Sequence, residues 1–151
     1  MLKPRVYLDT TVPSALLDER TPERLALTKG FWVLARDQYE LLISELVVQE
    51  IENTPDDERR SRLLEAVRGL ESLSGGEEAG ALAGEYVAAG IFPVGYTSDA
   101  LHVAIAVVHR VPILASWNFE HLVKRRTRLE VNYLSERLGY PTLDIVSPAE
   151  L

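Results

Sequence analysis

Asp9, Glu50 and Asp99 stand apart from the other acids of the chain because each falls where the surrounding pattern calls for burial. Asp9 closes the short β-prone run Arg5-Val6-Tyr7-Leu8 and is followed by Thr10, Thr11 and Pro13, the mark of a strand passing into a helix. Ligands of open α/β sheets bind beyond the carboxyl ends of the strands, which is where Asp9 lies; capping the next turn is its structural alternative. Glu50 projects between Leu46 and Val47, inside an apolar helical arc that includes Val48 and Ile51, while Glu45, Gln49 and Glu52 fall on the opposite side. A carboxylate in that arc is costly unless an ion pair, a metal or a catalytic role compensates it. Asp99 follows Ser98, a candidate cap, in the first turn of a helix that is apolar nearly all round, where the helix dipole alone would favour an acid. His102 lies one turn further on and could approach Asp99, although a histidine on a buried helix is more often a satisfied core residue. Asn118, just beyond the apolar run Ile113–Ser116, holds a second carboxyl-end position. Oxygen ligands of this kind, with water, suit Mg2+ or Mn2+, and the chain has no cysteine to offer a soft ligand.

The elements that would carry these residues alternate. Arg5–Asp9, Tyr39–Ile43, Val111–Ser116 and Leu143–Val146 read as apolar strands. A helix is expected over Pro22–Arg36, with proline at its first position, and others over Ser44–Asn53, Pro55–Gly69, Glu77–Ala89 and Ser98–Arg110. A short helix around Glu120–Val123 and another over Val131–Leu138 complete the pattern. Strands with helices between them imply an α/β/α sandwich around a mainly parallel sheet of about four to five strands, in a single domain over residues 1–151. There is no internal repeat, linker or low-complexity tract.

Composition narrows the function classes. The 151 residues are 46% hydrophobic, enough for one core, and 16 basic against 23 acidic residues leave a net charge of −7. That excludes a protein that holds nucleic acid through global basicity, so any polyanion site must be local. The one dense basic run is Lys124-Arg125-Arg126-Thr127-Arg128, read either as a contact for RNA phosphates or as a solvated surface loop. The absence of cysteine permits a reducing, cytoplasmic location. No apolar segment has the length of a membrane span or of a signal-peptide core.

Taken in order, Val6-Tyr7-Leu8-Asp9-Thr10, Ile43–Ile51, Asp99–Ala106 and Ile113–Leu122 resemble the PIN-domain family, and within it the VapC-like toxin ribonucleases of prokaryotic toxin–antitoxin modules. The terminal stretch Gly139-Tyr140-Pro141 to Ile145-Val146-Ser147-Pro148 extends the likeness over nearly the whole chain. The resemblance implies a PIN-like fold, metal binding by Asp9, Glu50 and Asp99, and hydrolysis of RNA. The family often has a fourth acid where this chain has Asn118, which leaves a neutral ligand there or Glu120 nearby as a substitute. Thr10 and Ser98 adjoin the acids and are candidates to orient them through hydrogen bonds.

The resulting expectation is an endoribonuclease using Mg2+ or Mn2+, without a protein nucleophile. A PIN-like module that binds RNA or protein without cutting is the alternative, with Asn118 as its one sequence hint. An Asp9-nucleophile phosphatase is a further rival, weakened by Thr11 standing where that chemistry needs a second acid. The resemblance also implies a protein antitoxin and a homodimer, for which Phe31, Trp32 and Leu34 on the first long helix are a candidate apolar patch, or else ordinary core.

Overall fold

The apolar runs become the strands of one sheet. In the computed structural model, which describes residues 2–151, β1 (Arg5–Leu8), β2 (Glu40–Ser44), β3 (Glu71–Leu73), β4 (Ile113–Ala115) and β5 (Asp144–Val146) lie in the order β3-β2-β1-β4-β5. Every pairing is parallel. The inner strands carry consecutive buried residues, Val6-Tyr7-Leu8 in β1 and Leu41 to Ser44 in β2, as expected where helices cover both faces of a sheet. Those helices are α1 (Thr11–Ala15), α2 (Pro22–Gln38), α3 (Glu45–Glu52), α4 (Asp57–Val67), α5 (Gly76–Ala88), α6 (Thr97–Val108) and α7 (Arg125–Arg137), followed by a 3-10 turn at Pro148–Glu150. The α/β/α layering and parallel sheet agree with the sequence reading.

Local chemistry explains the main boundaries. Pro22 opens α2, and Ser44 ends β2 and caps α3, its Oγ accepting the Val47 N–H at 3.3 Å. Helix α6 is buried on almost every side through Ala100, Val103, Ala104, Ile105, Ala106 and Val107, and it packs against Ala79, Leu82, Ala83 and Tyr86 of α5. It stops where Arg110 takes a left-handed φ of 57°, which lets the Val111 N–H reach the Ala106 carbonyl at 2.9 Å and turns the chain into β4.

Four expectations need correction. Strand β3 has no counterpart in the sequence reading because it is a three-residue edge strand with only Leu73 buried. Residues Phe119 to Leu122 form a turn instead of a short helix. Helix α7 starts at Arg125 instead of Val131, so the basic run opens a helix; cations are unfavourable at a helix N-terminus, and that hid the start. Ser98 lies inside α6, whose N-cap is Tyr96 without a side-chain cap bond. On α2, Phe31 belongs to the core and Trp32 is partly buried beneath Arg36, while Leu34 is exposed with Leu27 and Val33. Among the described residues no helix is long and apolar enough to cross a membrane.

Candidate active site

The strand order reverses at β1: the chain moves from β1 to β2 and β3 on one side, then returns to place β4 and β5 on the other. A crevice opens at such a switch point beyond the carboxyl ends of the two central strands. Asp9 follows β1 directly, and its N–H is bonded to the Ala115 carbonyl of β4 at 3.2 Å. Its side chain is 2% exposed. One carboxylate oxygen accepts the Thr11 N–H at 3.0 Å and the Thr11 hydroxyl; the other accepts the Ser116 hydroxyl. Burial pushes the Asp9 carboxyl above its usual range, against the nearness of His102 and the bonds from Ser116 and Thr11.

Helix α3 delivers Glu50 to the same crevice. Its Oε1 accepts the Thr10 hydroxyl at 2.6 Å and lies 2.7 Å from His102 Nε2 of α6. Burial works to raise the Glu50 carboxyl, but the hydrogen bond and nearness of His102, helped by Thr10, hold it below the ordinary value. His102 is 3% exposed, and its Nδ1 lies 2.7 Å from the hydroxyl of Tyr7 in β1. The sequence placed this histidine nearest Asp99 or in the core; it is a core residue, and its polar partners are Glu50 and Tyr7.

Asp99, in the first turn of α6, is half-buried, and its carboxyl is raised by that burial and by the charge of Glu50, while His102, His121 and a bond from the Asn118 side chain act to lower it. Asn118 is oriented by two contacts: its N–H donates to Ser116 Oγ at 2.9 Å, and its Oδ1 accepts the His121 N–H at 2.9 Å. The amide oxygen keeps a second lone pair, and the NH2 group is left as a donor. Glu120 is exposed and turned toward His121, with 3.6 Å between Oε1 and Nε2. Ser98 is exposed and makes no side-chain hydrogen bond among the described residues.

Asp9, Glu50 and Asp99 thus all lie within electrostatic reach of the single imidazole of His102. Among the described residues no group of three or more His, Asp or Glu side chains is closed tightly enough to hold a metal ion as it stands. The donor set nevertheless has the chemistry of a hard-cation site. Asp9 is a buried acid that forms no ion pair with Lys or Arg among the described residues, and Asp99 is pushed up first by burial and further by the charge of Glu50. A divalent ion held by oxygen ligands would relieve both.

The rim of the crevice is aromatic and basic. Arg24 lies over the rings of Trp117 and Phe119, 5.2 and 5.8 Å from their centroids, and helps line a groove with Thr10, Thr11 and Ser14. Tyr96, half exposed, stacks at 4.2 Å on His121. In the basic run, Lys124, Arg125 and Arg126 are exposed, although Arg126 pairs with Glu130; Arg128 instead donates to the Ile145 carbonyl at 3.3 Å. Tyr7, Thr11, Ser44 and Ser116 were not singled out as site residues from the sequence. Hydroxyl residues at strand ends are common, and nothing local marks them.

No family model and no curated protein sequence matches the chain. Solved structures do match. VapC20 of Mycobacterium tuberculosis, a sarcin-ricin loop cleaving toxin, aligns with a TM-score of 0.60 at 12% identity over 92% of this chain and 98% of its own. FitAcB from Neisseria gonorrhoeae gives a TM-score of 0.59 at 16% identity, covering 97% of this chain and 99% of its own. DNA-bound VapBC from Salmonella typhimurium gives 0.56 at 20% identity, covering 98% and 99%. Identities this low speak for architecture alone, and the architecture is the PIN-like fold of the VapC toxins, as the motifs of the sequence suggested.

Proposed function

We propose that the protein is a divalent-metal-dependent endoribonuclease, the toxin of a toxin–antitoxin module acting in the cytoplasm. The observation that carries this reading is the switch point of a PIN-like sheet where Asp9 follows β1 and Glu50 is bonded to His102 of α6, the helix whose first turn holds Asp99. These three carboxylates would hold Mg2+ or Mn2+. When bound, such an ion supplies an activated water and stabilises charge on the leaving oxygen. Thr11 and Ser116 fix both oxygens of Asp9, and Thr10 holds Glu50. Asn118, oriented by Ser116 and His121, would serve beside Asp99 as the neutral ligand in place of a fourth acid. Lys124, Arg125 and Arg126 would attract RNA phosphates to an otherwise acidic molecule. A protein antitoxin is the proposed partner, and the exposed Leu27, Val33 and Leu34 of α2 are the part of that helix open to a second copy or to the antitoxin.

The deciding experiment is cleavage of a structured RNA with single-stranded loops by the purified protein in Mn2+, in EDTA, and after Asp9→Asn. Cleavage that needs metal and is lost in the variant is the expected result. RNA binding without cleavage in any metal would instead favour the non-catalytic module. The phosphatase reading has little structural support, because both oxygens of Asp9 accept hydrogen bonds in a buried position.

A further inference from the structure

The deepest polar feature of the molecule runs beneath the acids. Ser44 and Tyr7 are fully buried and His102 is 3% exposed, yet they form an unbroken line: Ser44 Oγ to Tyr7 OH at 2.7 Å, Tyr7 OH to His102 Nδ1 at 2.7 Å, and His102 Nε2 to Glu50 Oε1 at 2.7 Å. Hydrogen-bond counting gives the line a direction. Ser44 Oγ already accepts the Val47 N–H, and its own proton has one possible acceptor, the Tyr7 oxygen. Tyr7 must then donate to Nδ1, and the imidazole carries its proton on Nε2 and donates to Glu50. In the reverse direction, Tyr7 donates to Ser44. The Ser44 hydroxyl proton is then buried without an acceptor, at a cost that native structures avoid.

We infer that Tyr7 and Ser44 fix the His102 ring so that its Nε2–H donates to Glu50, and that His102 is a positioning residue that, together with Thr10, pins Glu50 by one oxygen. Oε1 takes both donors, and Oε2 has no hydrogen-bond partner among the described residues. Glu50 is thereby presented as a one-oxygen ligand. The proton on Nε2 follows from the hydrogen bonds alone, whereas the use of Oε2 as a ligand rests on the metal-dependent function proposed above. The line also ties three elements of the fold to one carboxylate: Tyr7 comes from the central strand, Ser44 from the end of β2 and His102 from the buried helix α6.

Two readouts on the metal-free and Mn2+-titrated protein test this without any cleavage assay. The imidazole nitrogen resonances of the metal-free wild type should show Nε2 carrying a proton and Nδ1 accepting one hydrogen bond in His102. Tyr7→Phe, which keeps the ring and removes the donor to Nδ1, should shift that signature. Titration with Mn2+ alone should show His102→Leu binding about 10–100-fold more weakly, the usual effect of losing a group that orients a ligand. His102→Gln, whose amide can still donate to Glu50, should recover most of the loss. A ring with its proton on Nδ1 in place of Nε2 in the wild type would overturn the proton assignment. Equal Mn2+ affinity in wild type, Tyr7→Phe and His102→Leu would overturn the positioning role. Failure of the wild type to bind Mn2+ would overturn the metal reading and the use of Oε2, while the nitrogen signature would still report on His102 separately. Tyr7→Phe serves as the near-isosteric check if His102→Leu does not fold.

Discussion

Ser116→Ala is a demanding test of how the crevice is held together. The Ser116 hydroxyl is fully buried, donates to Asp9, accepts the Asn118 N–H at 2.9 Å and lies 3.3 Å from Thr11 Oγ1. Its removal takes away a hydrogen bond to a carboxylate, about 1.5–3 kcal/mol, and strands a partly buried N–H for about 1 kcal/mol more, so the metal-free protein should lose about 2–4 kcal/mol. With a urea dependence of about 2 kcal/mol/M, the unfolding midpoint should drop by about 1–2 M without a change of slope. Urea unfolding followed by the fluorescence of neighbouring Trp117 measures this. Because the loss is assigned to one pair, it should shrink by about 1 kcal/mol or more when Ser116→Ala is made in an Asp9→Asn background, where the carboxylate is gone. The same variant should bind Mn2+ more weakly, since the bond from Ser116 is one of the influences that favour ionised Asp9. A loss below about 0.5 kcal/mol, within the range of an ordinary surface substitution, or a loss identical in both backgrounds, would refute the claim that Ser116 holds Asp9.

Other outcomes follow from the same geometry. Wild-type protein at a free Mn2+ concentration about 100 times its Kd should gain about 2.7 kcal/mol, a rise in Tm of about 5–10 °C for a chain of this size, and Asp9→Asn should lose most of that rise in differential scanning calorimetry. Without metal, the raised carboxyls of Asp9 and Asp99 keep protons in the native state that the unfolded chain has shed. Stability should therefore fall as pH rises from the ordinary carboxylate range through the raised values. Glu50 acts in the opposite sense, its contribution being lost as pH falls through its depressed value, and Asp9→Asn should flatten the fall in a thermal-unfolding series over pH. Asn118→Asp keeps an acceptor for the His121 N–H but places a charge where a neutral amide stood beside the acids. It should destabilise the metal-free protein at neutral pH while lowering the Mg2+ concentration for half-maximal cleavage, and unchanged titration midpoints would remove Asn118 from the site. Arg110→Gly, at a left-handed φ of 57°, should stabilise the fold by about 0.5–1 kcal/mol in urea unfolding.

The acids were legible because a carboxylate at the end of an apolar strand or inside an apolar arc breaks a pattern that one sequence is enough to display. Tyr7, Ser44 and Ser116 break no pattern. Their roles come from register, which sets Tyr7 beside Leu42 of β2 and Leu114 of β4, and pairing between strands is not written in either strand alone. His102 reads from the sequence as a satisfied core residue or a neighbour of Asp99, and its burial with two polar partners, Tyr7 and Glu50, fits the first. Asn118 was legible by its type and its place beyond β4, and the orientation of its amide comes from the backbone of His121, three residues ahead in a turn whose sequence reads as a short helix.

The distances along the chain between the partners of the crevice bear on how the molecule comes into being. Asp9 meets Ser116 across 107 positions, Tyr7 meets His102 across 95 and Glu50 meets His102 across 52. Contacts of such span are closed late and slowly, and synthesis proceeds from the N-terminus. While β1, β2 and β3 are leaving the ribosome, Asp9 has neither Ser116 nor the β4 backbone beside it, and the central strand still has an open edge. An interrupted translation product that stops before β4 therefore has no assembled crevice. If the chain is the nuclease proposed above, prematurely terminated copies are harmless to the cell that makes them, and a neutralising partner has to recognise only chains in which the sheet has closed.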